Sequence, residues 1–223
     1  MKTAPVRKRG RGGGARQDSH SLSGYVYETL LRRLLRNELV PGEMLNRRDV
    51  ARELGVSVAP VLEAMVALEN EGFLEGIPRK GTRVRPVRGE DVAGQLVVRE
   101  ALECAAARLY CGAPVRARQG ELRVLAGRLD AVSADSPQRW EREIAFHQAL
   151  VRLTRCEALI REFERVFRLT VFHRINRIVG SQLGRVVNRH VKLLSRLASA
   201  GPDEAERAIR DHVRSGKGDL FAS

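Results

Sequence analysis

NRRDVARELGVSVAPVLEAMVALENEGFLEGIPRKGTRV, residues 46–84, is the stretch whose reading decides the fold. Val50, Ala51 and Leu54 fall on one face of a short helix from about Arg47 to Leu54. Gly55 ends it, as a residue free to take positive φ. Ser57 suits the N-cap of a second helix that runs to about Glu71, with Val61, Ala64, Met65 and Leu68 facing inward. Gly72 closes that helix. Two β-prone runs follow, Phe73 to Ile77 and Thr82 to Val87, joined by Pro78-Arg79-Lys80-Gly81. Upstream, Val26, Leu30, Leu31, Leu34 and Leu35 recur at helical spacing until Pro41-Gly42.

Helix, short helix, glycine turn, helix and hairpin is the order of a winged helix-turn-helix. A helix that enters a major groove about 12 Å wide must keep one side exposed. A hairpin tip that meets phosphate must be basic, and Arg79 and Lys80 meet that need. The same order also fits a module that contacts protein.

Beyond Val87 the pattern is helical throughout. Residues 91–111 carry Val92, Leu96, Val97, Leu102, Ala105, Ala106 and Leu109. Helices are expected at about 115–132, from Ser136-Pro137 to about Thr154, 157–178, 181–199 and 203–215, with breaks at Pro114, Gly180 and Gly201-Pro202. The expected fold is mainly α: a winged helix-turn-helix over 21–88, then an all-helical bundle of six over 89–223, linked by Pro86 to Glu90. Residues 1–20 are Gly/Arg-rich without apolar periodicity and read as a disordered basic arm.

Composition narrows the class. The chain has 223 residues, 43% of them hydrophobic, and a formal charge of +13. That is enough apolar material for a core, and the charge favours a polyanionic partner over a lipid surface. No apolar run is long enough to span a membrane, and the basic N-terminus lacks the apolar core of an export signal. Cys104, Cys111 and Cys156 make no disulfide framework, which points to a reducing cytoplasm. Cys104 and Cys111, seven apart, are expected to pack on one helical face.

The N-terminal block resembles the GntR family of bacterial transcription regulators. The resemblance is carried by Leu39-Val40-Pro41-Gly42, Val50-Ala51-Arg52-Glu53-Leu54-Gly55-Val56-Ser57, Pro60-Val61, Glu63-Ala64, Leu68 to Leu74 and the wing from Pro78 to Val84. The C-terminal part is similar to the FCD type of effector domain in its six-helix form, through Arg99-Glu100-Ala101-Leu102-Glu103, Ala105 to Ala107, Phe146-His147, His190 and His212. The resemblance implies a homodimer on double-stranded palindromic DNA and a small effector, often a carboxylate, bound in the bundle. The implied role is repression of a carbon-metabolism operon. It places DNA contacts at Arg47, Arg48, Ser57, Val58, Ala59, Pro60, Arg79, Lys80 and Gly81.

Two departures from the family pattern stand out. Where the family has Ser-Arg-Thr-Pro-Val-Arg, this chain has Ser57-Val58-Ala59-Pro60-Val61-Leu62, so both arginines and the threonine are gone. Arginine on guanine is the commonest specific base contact, so altered or reduced specificity is expected. The family's metal motif Asp-x-x-x-His is here Glu143-Ile144-Ala145-Phe146-His147. Positions i and i+4 share a helical face, and with His190 and His212 the implied set suits Zn, Ni or Mn. Arg99 is implied as an effector contact. An (i, i+4) ion pair with Glu103 accounts for it equally well. Cys156 stands where the family often has Asn.

Two other classes are weighed against a regulator. The missing arginines and the basic arm fit a low-specificity architectural DNA-binding protein. Three histidines and a carboxylate fit a metal-dependent enzyme, although no nucleophile motif, phosphate loop or HExxH accompanies them.

Overall fold

The computed structural model describes residues 14–133, 136, 138–178 and 190–215, with only the backbone described for 14–21, 89 and 173–178. The chain divides into two compact units: the chain up to Arg33 with Gly42–Arg85, and Leu34–Pro41 with the chain from Pro86 onward.

Helix α1 spans Gly14–Leu35, all but its last two residues in the first unit, which also holds β1 Met44–Leu45, α2 Arg47–Leu54, α3 Val58–Glu71, β2 Leu74–Ile77 and β3 Gly81–Val84. Helix α1 begins at Gly14, inside the segment read as a basic arm; residues 1–13 of that arm lie outside the described residues. The Asn46 side chain caps α2 by accepting the Arg48 N–H at 2.9 Å, a role its neighbours' pattern did not announce. Ser57 occupies the N-cap position of α3, but its side chain makes no capping bond. Gly55 (φ 66°) and Gly72 (φ 90°) end α2 and α3 in the left-handed conformation, where a Cβ is strained. Val61, Ala64, Met65 and Leu68 are buried, the same four that periodicity turns inward.

The sheet is antiparallel in the order β1-β3-β2, with Leu74 opposite Val84 and Glu75 opposite Arg83. Its third strand, β1, pairs Met44 with Arg83 and was not foreseen: two residues are too few to show a period. Arg83 crosses to Glu75 (Nε to Oε1, 2.8 Å), an opposite-charge pair at directly facing positions. The Thr82 hydroxyl donates to Glu69 at 2.8 Å and ties the wing to α3.

The second unit holds α4 Gly89–Tyr110, α5 Ala113–Ala117, α6 Gln119–Asp130, α7 Arg139–Arg152, α8 Glu157–Ile178, α9 His190–Ser199 and α10 Pro202–Arg214. Helix α4 packs against α7, α8 and α10, and α6 packs against α7 and α9. Phe146, Phe163, Phe167 and Phe172 fill the interior with Leu122, Leu129, Leu197 and Ile209. The helix expected over 115–132 is two: Arg118 leaves helical geometry (φ −115°), and its N–H turns back to Val115 O. Arg116 then ties α5 to the end of α9 through Ala198 O at 2.7 Å. Helix α7 starts at Arg139, later than expected. The Ser136 hydroxyl accepts the Gln138 N–H at 3.3 Å instead of capping a helix that begins at Pro137, which is itself outside the described residues. Gly180 and 181–189 of the expected helix over 181–199 also lie outside them. Among the described residues, no helix is long and apolar enough to cross a membrane.

Candidate functional site

Three helices bring the bundle histidines together. Glu143 and His147 project from one face of α7, one turn apart; His190 opens the described part of α9; His212 lies in the last turn of α10. The imidazoles of His147, His190 and His212 each offer a nitrogen, and these atoms lie within 4.8 Å of one another.

Carboxylates behind two of the rings set which nitrogen faces the centre. His147 Nδ1 is 2.7 Å from Glu103 Oε2 on α4. Burial works against a charge on Glu103, but the His147 imidazole and the Arg99 guanidinium outweigh it and hold the carboxyl well below the usual carboxylate range. An ionised carboxylate only accepts, so Nδ1 carries a proton, and in the neutral ring, the form a metal would require, Nε2 keeps its lone pair. That Nε2 is buried and has no hydrogen-bond partner among the described residues. His190 repeats the arrangement: Nδ1 donates to Asp130 Oδ1 at 2.6 Å. Asp130, the last residue of α6, also accepts the backbone N–H groups of His190 and Val191, each at 3.1 Å.

Glu143 Oε2 stands 3.6 Å from His147 Nε2 and 3.9 Å from His190 Nε2. Both are too long for a hydrogen bond and suit atoms that share one ion, since Zn–N and Zn–O bonds are about 2.0–2.2 Å. Its other oxygen accepts from Arg139 Nη2 at 3.2 Å, and Arg139 Nη1 donates to Val132 O at 2.8 Å. The longer glutamate is thus anchored from behind by a buried guanidinium. Burial, then the neighbouring imidazoles, push His212 well below the ordinary histidine value, and burial also lowers His190. His147 moves up, because Glu103 and Glu143 overcome the effect of burial. A buried orphan nitrogen, two imidazoles oriented by carboxylates and a carboxylate between them fit a divalent transition metal. Glu103 and Asp130 escaped the sequence reading: Glu103 showed only as a partner for Arg99, and nothing in the chain marks Asp130.

Arg99 is buried. Its Nε donates to Glu103 Oε1 at 2.6 Å, and its guanidinium lies 4.2 Å from the centre of the Phe167 ring. Of its two readings, the ion pair is therefore present. Burial pushes the Cys104 thiol up to about 11, in keeping with a packing role. Cys111 is only half-buried and follows the last residue of α4 instead of sharing its packed face.

In the first unit, Arg47 and Arg48 are exposed at the start of α2, and Arg79 and Lys80 are exposed at the wing tip. Arg79 takes φ 64° and Gly81 φ 109° to turn the wing. Ser57, Val58 and Ala59 are exposed at the start of α3, whereas Pro60 is buried. One cleft brings Arg47, Arg48, Val58, Lys80 and Gly81 together; a second joins Arg47, Leu62, Val66 and Arg79.

Comparison with known proteins matches residues 22–84 to "Bacterial regulatory proteins, gntR family" and residues 95–215 to the FCD domain. An uncharacterized HTH-type transcriptional regulator in an unstable DNA locus of Streptomyces ambofaciens is 28% identical over 197 residues, 85% of this chain and 81% of that protein. The HTH-type transcriptional repressor RspR of Escherichia coli is 25% identical over 85% of this chain and 84% of that one. Among solved structures, E. coli McbR/YncC superposes with a TM-score of 0.74 at 20% identity, covering 90% of this chain and 97% of that one. A GntR regulator from Rhodococcus gives 0.69 at 21% identity over 93% and 99%. These two likenesses speak to the fold. With one match covering the winged helix and the other more than half of the chain, this protein belongs to the gntR family of bacterial regulatory proteins and carries an FCD domain.

Proposed function

We propose that the protein is a metal-dependent, ligand-responsive transcription repressor that binds palindromic double-stranded DNA as a homodimer in the cytoplasm. The observation that carries this reading is the convergence of His147, His190 and His212 on one point, with Glu143 beside them, in a chain whose other unit is a winged helix with cations at its tip. Glu143, His147, His190 and His212 would hold a divalent ion such as Zn, Ni or Mn. When bound, that ion supplies a Lewis-acidic site for an anionic oxygen. Glu103 and Asp130 hold the His147 and His190 rings in the tautomer that presents Nε2, and Arg139 holds Glu143. We assign a small carboxylate, an intermediate of carbon metabolism, as the effector at this centre, with Arg99 as its implied contact.

Arg47, Arg48, Arg79 and Lys80 take phosphates, while Ser57, Val58 and Ala59 lead α3 toward base edges, with Pro60 behind them and Gly81 shaping the wing. The homodimer reading is supported by α4, which leaves Val97, Val98 and Leu109 exposed. Effector binding changes DNA affinity by a coupling of about 1–3 kcal/mol.

The test is fluorescence anisotropy on the region upstream of the protein's own gene, against random duplex, at about 150 mM salt. Runs with chelator, with each of the three metals and with a panel of small carboxylates complete it. Preference for the upstream region that responds to metal or carboxylate is the expected result. Equal binding to both duplexes favours the architectural reading, in which affinity resides in the basic N-terminal residues.

A further inference from the structure

Helix α3 contains no Lys, Arg, Gln or His. Its outward side carries Val58, Leu62 and Val66, one turn apart, at 43%, 42% and 43% exposure. Such a stripe on a helix of this length ordinarily turns into a core, but here the core-facing side is Val61, Ala64, Met65 and Leu68. The stripe is bounded by cations. Arg48 and Lys80 share a cleft with Val58, Arg79 shares one with Leu62 and Val66, and Arg47 lines both. An apolar strip framed by four cations matches a polyanion that exposes apolar groups between its phosphates. In the major groove, the one apolar group on a base edge is the C5-methyl of thymine. Guanine presents two acceptors there, and α3 has no cation to meet them. Glu63, also exposed, is itself an acceptor: it is repelled by guanine O6 and N7 and can pair only with the amino group of a cytosine or adenine.

We propose that α3 reads thymine methyl groups: the operator half-sites of this regulator present thymines whose methyls pack on Val58, Leu62 and Val66, while Arg47, Arg48, Arg79 and Lys80 hold the flanking phosphates. The proposal rests on the DNA-binding reading above and specifies its base chemistry. It redirects the specificity that the absent arginines would have carried.

The test uses the full chain to enrich binders from a randomised duplex pool, followed by anisotropy on the enriched duplex with each half-site thymine replaced in turn by uracil. That substitution removes one methyl and leaves base pairing intact. Each contacted position should weaken binding roughly fourfold, the effect of exposing one methyl-sized apolar group. In Leu62→Ala, whose parent side chain is exposed, the uracil penalty should vanish at one position while the salt dependence stays unchanged. Lys80→Ala should weaken thymine and uracil duplexes alike and lower the salt slope by about one. Enrichment of a sequence that binds equally well with uracil overturns methyl reading and leaves the regulator reading standing. Failure to enrich any sequence overturns both.

Discussion

Replacing Asp130 with alanine separates the metal from the fold. The Asp130 carboxylate, with 18% of its side chain exposed, accepts N–H groups that include the His190 ring at 2.6 Å and the backbones of His190 and Val191 at 3.1 Å. Loss of a capping side chain of this kind costs about 0.5–2 kcal/mol, because water replaces part of the bonding at a site that solvent reaches. Metal-free Asp130→Ala should therefore unfold in urea with a stability lower by about 1–2 kcal/mol. A second loss appears only with metal. Removing the carboxylate that orients a ligating imidazole weakens affinity about 10–100-fold. Stabilisation by a ligand follows RT ln(1 + [L]/Kd), so at saturating zinc the variant should gain about 1.4–2.7 kcal/mol less than the parent. Asp130→Asn keeps one oxygen for the His190 ring and sets its amide against one backbone donor, so it should lose stability but keep affinity within about tenfold. The assay is urea unfolding followed by circular dichroism, with chelator and with zinc, beside a competition titration against a chelating dye. If Asp130→Ala binds zinc as tightly as the parent while losing stability, Asp130 is only a cap, and the argument that it sets the His190 tautomer is refuted.

Arg99→Met should destabilise the protein by about 3–5 kcal/mol, because it strands the buried Glu103 carboxylate with His147 alone; urea unfolding within about 1 kcal/mol of the parent would contradict this. In chelator, acidification below about pH 6.5 should reduce stability through His212. Burial keeps that ring neutral when folded, so the unfolded chain takes up a proton the folded chain refuses, and the contribution present above the unfolded pKa is lost as pH falls. His147 has the opposite sign: its raised value contributes stability that is full below the unfolded pKa and is lost as pH rises through the folded one. Comparison with His212→Gln isolates the first effect, and an unchanged acid slope in that variant would count against it. Val97→Asp, on the exposed side of α4, should turn a dimer into a folded monomer in sedimentation; a dimer that persists places the interface elsewhere.

What the chain declares on its own is local. Gly55 and Gly72 mark helix ends because left-handed backbone is nearly free only for glycine, and Val61, Ala64, Met65 and Leu68 reveal a buried face because the helical period repeats every 3.6 residues. The pairing of Glu143 with His147 was legible for the same reason: four residues is one turn. Strand β1 and the break at Arg118 were not, since two residues carry no period and a single bent dihedral leaves no compositional trace.

Tertiary structure alone decided the rest of the centre. Glu103 reaches His147 across 44 positions and Asp130 reaches His190 across 60, from helices whose own patterns say only which side is apolar. Hydrophobic periodicity orients a helix about its axis; which polar groups then meet depends on how several helices stack, and no spacing along the chain records it. The residue types for a candidate metal centre could be read from the sequence, but the carboxylates that aim two of its imidazoles became visible only once α4, α6, α7 and α9 were packed together.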